Sequence, residues 1–302
     1  MNVNWKGVLP AITTAFNADL SVDYGFLAEH AGWMIDSGCA GIVPLGSLGE
    51  GATLTHAEKR TILETLVATV GDRGPVVAAI SALSTSDAVA LARDAQSIGC
   101  SGLMVLPPYV YSTDWREMKA HVAAVMRATT LPCMLYNNPV AYRTDFVAEQ
   151  IAELAREMPN LESVKESSTD VRRVTAIRAL IGDRLEVLIG VDDLIVEGVA
   201  AGATGWIAGL VNAFPLESVA IHRAAMAGRW SEANELYRWF LPLLRMDTVP
   251  KFVQLIKLVQ EKVGRGSARV RAPRLELDGA ELHAATEVIE HALATKPRLE
   301  VR

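Results

Sequence analysis

Lys165 is the residue of this 302-residue chain whose type and position most directly suggest covalent chemistry. It ends a segment over residues 161–165 that contains apolar Val164, and the hydroxyl residues Ser167 and Ser168 follow it. This pattern predicts a buried strand that runs into a helix cap. Such a lysine either extends to solvent or lies in a cleft, where a lowered pKa lets its amine attack a carbonyl and form an imine. The segment by itself favours the solvent-exposed lysine.

A tyrosine, a serine and a glycine-rich turn supply the other groups that imine chemistry needs. Tyr136 ends the strand that precedes the lysine strand, and its phenol could transfer protons during imine formation, with Ser47 as a hydroxyl partner. The turn Gly46-Ser47-Leu48-Gly49 could present backbone N–H groups to the carboxylate of a 2-oxo acid. The alternative interpretations are structural: Tyr136 covers a rim, and the glycines allow positive φ in an ordinary loop.

These residues lie on a chain in which strand and helix patterns alternate. Strands that are buried on both faces read as continuous apolar runs, and eight such runs alternate with about eight helical patterns over about 210 residues. This count predicts an α/β fold, specifically a closed (β/α)8 barrel, whose strands carry their C-terminal residues to one shared site. An open doubly wound sheet with fewer strands is the alternative. The predicted strands are at residues 7–13, 41–45, 75–80, 102–106, 132–136, 161–165, 185–189 and 205–208.

The helical patterns divide the chain into two parts. Between the strands they fall at residues 23–37, 55–70, 86–99, 115–129, 145–157, 170–181 and 194–200. From residue 214 onward no strand pattern remains, and helices are predicted near 216–227, 231–244, 250–264 and 279–294. We therefore expect a barrel over residues 1–213 and a helical C-terminal region over 214–302 that packs on the barrel or on another subunit.

Composition and charge argue against several classes of function. The net charge of −6 argues against nucleic-acid binding by phosphate neutralisation. No apolar run reaches 18 residues and the first residues lack a secretory pattern, so we expect no membrane association. Three cysteines without CxxC spacing suit a reducing cytoplasm. Six histidines without HxH or HExxH spacing give little support to a metal site.

Three motifs in order resemble a known family. Gly46-Ser47-x-Gly49-Glu50, Tyr136-Asn137-x-Pro139 and Val164-Lys165-Glu166-Ser167 together resemble the dihydrodipicolinate synthase/N-acetylneuraminate lyase family, and the resemblance runs from about residue 7 to the C-terminal helices. The resemblance implies a (β/α)8 barrel, a class I (Schiff-base) lyase activity, a homo-oligomer that is usually a tetramer, and no metal or organic cofactor.

The resemblance also implies roles for individual residues. Lys165 would form the imine, Tyr136 would be the acid and base, and Ser47 would relay the proton. The remaining implied residues are those of substrate binding: Gly46 and the N–H groups of Ser47 and Leu48 at the carboxylate, Ile207 against the bound substrate, Tyr109, and Arg143 at a distal carboxylate. Tyr111 is the alternative to Tyr109 as the tyrosine that reaches a neighbouring subunit.

Departures from the family pattern bear on the substrate. Leu48 stands where members that make dihydrodipicolinate have a second hydroxyl residue, and the segment from Pro139 to Arg143 is one residue longer than theirs. These differences argue against lysine biosynthesis and, less firmly, against sialic acid cleavage. The glycine turn, Gly46 to Glu50, taken together with the segment Tyr136-Asn137-Asn138-Pro139-Val140, resembles the branch of the family that deaminates 1-pyrroline-4-hydroxy-2-carboxylate. Aldolases and dehydratases of 2-keto-3-deoxy sugar acids share every catalytic part and remain alternatives.

Two hypotheses from other classes remain. A non-catalytic member could bind a 2-oxo acid as a sensor, although a pure binder has no need of the imine-forming Lys165. A metal-dependent barrel aldolase would need a cluster of histidine and carboxylate residues at the strand ends, and Asp192, Asp193 and Glu50 have no histidine partner there. The sequence instead predicts that Asp192 and Asp193 cap the following helix.

Overall fold

Seven parallel strands form one curled sheet in the computed structural model, which describes residues 3–108 and 114–299. The spatial order β1-β7-β6-β5-β4-β3-β2 follows the chain order except that β1 lies beside β7. The burial of nearly every strand residue explains the continuous apolar runs of the sequence. The strands are β1 Gly7–Pro10, β2 Val77–Ile80, β3 Gly102–Val105, β4 Cys133–Asn137, β5 Leu161–Glu166, β6 Glu186–Ile189 and β7 Gly205–Ala208.

The predicted strand over residues 41–45 is not a strand of the structure. Ile42 and Val43 form isolated parallel bridges, and Pro44 O accepts from Ala79 N–H at 3.0 Å, but Pro44 has no N–H to donate and Leu45 turns away with a φ of +67°. These bridges reach Ala11, just after β1, and Val76, just before β2. The segment therefore connects the two edges of the sheet. Its hydrogen bonds include Ile42 N–H to Pro75 O at 2.9 Å, Val43 N–H to Pro10 O at 2.8 Å and Val77 N–H to Ile42 O at 2.9 Å.

Helices follow the strands, and their ends agree with the local sequence signals. A capping box begins α2, because the Thr55 side chain accepts from Glu58 N–H and the Glu58 carboxylate accepts from Thr55 N–H. The helices of the described residues are α1 Tyr24–Asp36, α2 His56–Val70, α3 Thr85–Ile98, α4 Trp115–Arg127, α5 Pro139–Tyr142, α6 Ala148–Glu157, α7 Arg172–Ile181, α8 Ile195–Ala200, α9 Pro215–Met226, α10 Trp230–Leu244, α11 Phe252–Lys262 and α12 Gly279–Ala294.

The C-terminal helices are packed on the sheet rather than apart from it. Helix α9, which follows residue 214, contacts β1 and β7, and α10 packs on α9. Helix α12 contacts α10 and α11. One continuous set of buried apolar side chains includes Leu135 and Val164 of the strands as well as Phe240 and Ile256 of these helices. Across the described part of the chain, no helix combines the length and the apolar character needed to cross a membrane.

Candidate active site

Lys165 lies beside Tyr136 inside the curled sheet. The two residues are paired in register between β4 and β5, and paired residues of parallel strands point to the same face. The Lys165 Nζ atom is 4.1 Å from the centroid of the Tyr136 ring, in the geometry of a cation–π contact. The exposed fractions are 6 % for Lys165 and 5 % for Tyr136. The solvent-exposed interpretation of the lysine is therefore wrong, because the amine is enclosed rather than extended to water.

The burial of Lys165 changes its protonation. Desolvation of the ammonium form lowers the pKa of Lys165 to about 8, although the negative charges of Asp247 and Asp192 oppose this shift. At pH 7, about one Lys165 amine in ten is then neutral, against about one in three thousand for an ordinary lysine. A neutral amine is the form that attacks a carbonyl carbon.

The phenol of Tyr136 is held by neighbouring polar groups. Asn138 Nδ2 donates to Tyr136 Oη at 3.0 Å. Burial raises the pKa of Tyr136, while the Asn138 amide and the nearby hydroxyls of Ser167 and Tyr142 act in the opposite direction. The Ser167 Oγ atom is buried and has no hydrogen-bond partner within the described residues. Tyr136 is therefore protonated at neutral pH and can donate to a reacting atom.

Ser47 makes its hydrogen bond to a residue outside the predicted set. Its Oγ atom is bonded to the Tyr142 hydroxyl, and the Tyr142 ring meets the Tyr136 ring edge to face at 5.7 Å. Tyr142 ends the short helix α5, which Asn138 begins as its N-cap, with Pro139 at the first position. An Asn-Pro pair is a helix-start signal. The sequence therefore contained a signal for α5, the single turn that places Tyr142 near the end of β4.

The glycine turn after residue 45 uses its glycines for close approach. A Cβ atom at Gly49 would lie 2.9 Å from Ile12 O, and one at Gly51 would lie 2.1 Å from Leu45 O. The positive φ values belong instead to Leu45 at +67° and Glu50 at +54°, so the alternative interpretation of the turn, in which its glycines allow positive φ, is wrong. Such angles in non-glycine residues cost energy and often mark functional sites.

The backbone N–H groups of this turn are the ones expected to bind a carboxylate. Gly46 and Leu48 are buried, and Ser47 is partly exposed. In residues 3–108 and 114–299, the N–H groups of Ser47 and Leu48 donate to no protein acceptor. Two adjacent N–H groups of this kind can bind a carboxylate.

A buried ion pair joins the far end of the turn to the C-terminal helices. Lys257 Nζ donates to Glu50 Oε1 at 2.5 Å, and the two side chains are 3 % and 0 % exposed. The second oxygen, Glu50 Oε2, accepts from Arg271 N–H at 3.0 Å. Lys257 also lies 4.3 Å from the Phe16 ring centroid. Helix α11 therefore determines where the turn that carries Ser47 is placed.

Asp192 supports the neighbouring strand end instead of capping a helix. Its carboxylate accepts from the N–H of Gly209 at 3.1 Å, from the N–H of Leu210 at 2.8 Å and from Trp206 Nε1 at 3.0 Å. The prediction that Asp192 caps the following helix is therefore wrong. Burial raises the pKa of Asp192 to about 6, with these three donors opposing the shift.

Asp247 is a carboxylate that the sequence analysis missed. It lies in a short turn between α10 and α11, and a Cβ atom at Gly209 would be 2.3 Å from Asp247 Oδ1 and 3.3 Å from Leu48 Cδ2. Burial of the carboxyl, and then the charge of Asp192, raise the pKa of Asp247 well above its usual range. No sequence pattern connects Asp247 to Lys165, since folding alone brings the C-terminal region to the strand ends.

The remaining predicted residues are placed as follows. Ile207 is buried in β7, two residues beyond Gly205, which aligns with Leu188 and through it with Lys165. Ile207 therefore points to the same face as Lys165 and lies nearer the strand ends. Arg143 is exposed, and its backbone ends α5 in a left-handed conformation with a φ of +62°. Tyr109 and Tyr111 lie outside the described residues.

The described part of the chain contains no group of three or more histidine, cysteine, aspartate or glutamate residues arranged to hold a metal ion. The titratable groups near the Lys165 amine include the phenols of Tyr136 and Tyr142 and the carboxyls of Asp192 and Asp247. This arrangement suits proton transfer to and from a group bound at the amine.

Comparisons with known proteins identify the family to which this fold and this site correspond. A family model described as "Dihydrodipicolinate synthetase family" matches residues 4–292. The chain is 32 % identical over 289 residues to a 4-hydroxy-tetrahydrodipicolinate synthase of Rhizobium meliloti (strain 1021), with coverage of 95 % of this chain and 98 % of the relative. It is also 32 % identical over 296 residues to a "Probable 5-dehydro-4-deoxyglucarate dehydratase" of Saccharopolyspora erythraea, covering 96 % and 94 %.

Solved structures agree in fold. A dihydrodipicolinate synthase from Bacillus anthracis superposes with a TM-score of 0.92 at 26 % identity, covering 98 % of this chain and all (100 %) of the other. A prophage protein of E. coli K12, solved in complex with pyruvate, superposes with a TM-score of 0.90 at 25 % identity, covering 96 % and 99 %. The fold and the family together define an enzyme of the class I aldolase, lyase and dehydratase type. The chain belongs to the dihydrodipicolinate synthetase family.

Proposed function

We propose that the chain is a Schiff-base lyase in which Lys165 forms an imine with a 2-oxo acid or opens a cyclic imino acid. The observation that carries this proposal is the buried Lys165 amine, 4.1 Å from the ring centroid of Tyr136 and with a pKa lowered to about 8. An amine in this state is nucleophilic at neutral pH, and a protonated phenol beside it can supply the proton that the reaction consumes.

The proposed sequence of steps follows from these two groups. The neutral amine of Lys165 adds to the carbonyl carbon, a C–N bond forms as the C=O π bond breaks, and the oxygen takes one of the protons of the attacking nitrogen. The phenol of Tyr136 gives a second proton to this oxygen, which leaves as water while the nitrogen lone pair forms the C=N bond. Tyr136 then acts as the base or acid at the neighbouring carbon, with Ser47 in contact with the same hydroxyl network.

The proposed substrate orientation uses the glycine turn. The N–H groups of Ser47 and Leu48 would bind the carboxylate next to the reacting carbon, with the small Gly46 beside them. Ile207, on the same face as Lys165, would pack against the substrate. Arg143 as the site of a distal carboxylate and Tyr109 as a substrate contact also remain proposals.

We propose 1-pyrroline-4-hydroxy-2-carboxylate as the specific substrate. Lys165 would add to C2 of the cyclic imine, the bond from C2 to the ring nitrogen would break, and the ring would open. Loss of the C3 proton gives an enamine that expels the C4 hydroxyl as water. Tautomerisation then places an imine at C5, and two waters hydrolyse this imine and the lysine imine. The balance is substrate plus one water to 2-oxoglutarate semialdehyde plus ammonia.

Other activities of the same site remain candidates, and the names of relatives support two of them, a dehydratase and a synthase. A relative that is 32 % identical is named as a dehydratase of a deoxy sugar acid, and such a dehydration likewise removes a hydroxyl from a 2-oxo acid. An aldolase of 2-keto-3-deoxy sugar acids would use the same lysine and phenol. Another relative is named as a 4-hydroxy-tetrahydrodipicolinate synthase. The buried, apolar Leu48 in the turn is our reason for placing synthase activity last.

Reductive trapping tests the lysine. The protein would be incubated with pyruvate and borohydride and then measured by intact-mass and peptide mass spectrometry. We expect one reduced pyruvyl group per chain, located on Lys165 and absent from Lys165→Ala. An exposed lysine variant, Lys6→Ala, is the control and should trap like the wild type, since its side chain is 60 % exposed. A wild-type protein that remains unmodified would refute the proposal.

A substrate panel then separates the candidate activities. The four candidates are pyrroline hydroxycarboxylate, 2-keto-3-deoxygluconate, N-acetylneuraminate, and pyruvate with aspartate semialdehyde. We expect the highest kcat/KM for pyrroline hydroxycarboxylate, with release of ammonia. A kcat/KM at least tenfold higher for another candidate would replace the deaminase assignment while leaving the role of Lys165 intact.

The proposal includes assembly and location. We propose a homo-oligomer, a tetramer or a dimer, which light scattering of the purified protein would test. Cys39, Cys100 and Cys133 are buried and unpaired, and burial raises the pKa of each thiol to about 12. Such thiols are compatible with the cytoplasm that we propose as the location. The proposed partner is a small-molecule acid, with neither nucleic acid nor membrane involved.

A further inference from the structure

We propose that Tyr142 is a second phenol of the proton relay, so that one chain by itself brings the hydroxyls of the glycine turn and of two tyrosines together beside the lysine. This inference rests on the proposed imine chemistry of Lys165 and goes beyond it. The path runs from Ser47 to Tyr142, from Tyr142 to Tyr136, and from Tyr136 to the amine.

The contacts of Tyr142 support each link of the path. Its hydroxyl is hydrogen-bonded to Ser47 Oγ. Its ring meets the Tyr136 ring at an interplanar angle of 89° with the centroids 5.7 Å apart, and its hydroxyl lies near that of Tyr136. Tyr136 in turn contacts the Lys165 amine. Ser47 has no direct hydrogen bond to Tyr136 among the described residues, so we assign the connection to Tyr142, which is bonded to Ser47 and whose hydroxyl lies near that of Tyr136.

Helix α5 explains how Tyr142 reaches this position. The Asn138 Oδ1 atom accepts from Ala141 N–H at 3.0 Å and starts the helix, while the Nδ2 atom of the same side chain donates to Tyr136 Oη. Arg143 N–H donates to Pro139 O at 3.0 Å and closes the single turn with a left-handed residue. One amide thus fixes both phenols with respect to each other, and the turn has the length that directs Tyr142 towards Ser47.

A relay role for Tyr142 follows because a single buried phenol cannot regain its proton by itself. Tyr136 is buried, and after it donates a proton it must be reprotonated before the next step. Tyr142 and Ser47 are partly exposed, so they connect Tyr136 to solvent and to the carboxylate end of the proposed substrate site. Since Tyr142 acts through Tyr136, it is a positioning residue for the proton and makes no bond to the substrate.

The experiment uses an exchange reaction that needs no knowledge of the natural substrate. Imine and enamine formation with pyruvate exchanges the methyl protons for deuterium in D2O, which NMR follows. In Tyr142→Phe, which keeps the ring and removes the hydroxyl, we expect the exchange rate to fall by about 10²-fold. Reductive trapping at Lys165 should still reach one adduct per chain after prolonged incubation, because the amine itself is intact.

Two further measurements separate a relay from a packing role. Exchange by Tyr142→Phe should rise with the concentration of imidazole buffer, which can deliver the proton that the phenol no longer carries, whereas wild-type exchange should not. Ser47→Ala should also slow exchange, and the double variant should be no more than about threefold slower than the slower single variant, because residues of one relay act as a unit. Tyr24→Phe, which removes a hydroxyl from α1, is the matched control and should exchange like the wild type.

The outcomes are distinguishable. Exchange by Tyr142→Phe within threefold of the wild type, with trapping intact, would overturn the relay and leave the imine proposal standing. Slow exchange that does not respond to imidazole would also overturn it, in favour of a packing role for the ring. A wild type that neither traps nor exchanges pyruvate would refute both proposals. If Tyr142→Phe does not fold, exchange by Ser47→Ala at the wild-type rate would overturn the relay.

Discussion

Gly190 faces the side chain of Lys165 so closely that no other residue type fits between β6 and the amine. A Cβ atom at Gly190 would lie 2.3 Å from Lys165 Cε, 2.7 Å from Lys165 Cγ and 2.1 Å from Ser167 Oγ. Contacts of this length do not occur between real atoms, so a larger residue would displace the lysine. The backbone after β6 therefore forms one wall of the channel that holds the amine beside Tyr136.

The variant Gly190→Ala tests this wall. We expect the fold to persist, because the new methyl group can displace the lysine chain, while trapping of pyruvate falls by at least tenfold as the amine moves from Tyr136. The measurement is the rate of borohydride trapping alongside the far-ultraviolet circular dichroism spectrum. The control is Gly25→Ala in α1, whose added methyl would meet Asp23 Oδ1 at an ordinary 3.6 Å. Wild-type trapping by Gly190→Ala would show that the lysine does not need its present position.

The lowered pKa of Lys165 predicts the acid limb of the pH–rate profile. Burial disfavours the ammonium form, so the folded-state pKa of about 8 lies below the ordinary lysine pKa of 10.5. The neutral, reactive amine therefore accumulates as the pH rises, and kcat/KM should increase about tenfold per pH unit below 8 and level off above it. Rates of imine trapping from pH 6 to 9.5 would measure this limb. A midpoint near 10 would contradict the burial of the amine.

Asp247 should adjust that midpoint. Its negative charge raises the pKa of Lys165, so removing the charge in Asp247→Asn should move the acid limb to lower pH. The pH profile of trapping is the measurement. Asp183→Asn, a change at a fully exposed side chain, is the control and should leave the midpoint unchanged. An unchanged or raised midpoint in Asp247→Asn would show that this carboxyl carries no charge near the amine.

The buried pair of Glu50 and Lys257 predicts a large effect on stability. In Glu50→Gln the ammonium of Lys257 would remain buried without its carboxylate, which should lower the free energy of unfolding by about 3–5 kcal/mol. Because Glu50 ends the turn that carries Ser47, activity should fall as well. Urea unfolding and the trapping rate would measure the two effects.

The comparison variants for this pair are within the chain. Combining Glu50→Gln with Lys257→Met removes both charges and should recover much of the lost stability, since no uncompensated ion remains. Arg229→Ala breaks a surface pair with Glu232, whose side chains are 51 % and 58 % exposed, and should change the stability little. Equal effects of Glu50→Gln and Arg229→Ala would contradict the importance of burial.

Local patterns predicted most of the secondary structure. Apolar runs marked seven of the eight expected strands, and the helical pattern predicted over residues 55–70 corresponds to α2, His56–Val70. The exception at residues 41–45 has a local cause, because Pro44 has no N–H to donate and the left-handed Leu45 turns the chain away, so that only Ile42 and Val43 form bridges. The boundary at residue 214 stays a prediction, and α9 beyond it packs against β1 and β7.

The sequence by itself determined that Lys165 and Tyr136 meet, because a lysine and a tyrosine that end neighbouring parallel strands must come to one edge of the sheet. It could not decide that the lysine is buried, since residues 161–168 by themselves favour an exposed strand end. Only the tertiary structure decided this, by closing Gly190 against the amine and bringing Asp247 from the C-terminal region to Gly209. Burial and charge depend on contacts between residues far apart in the chain, and no local spacing encodes them.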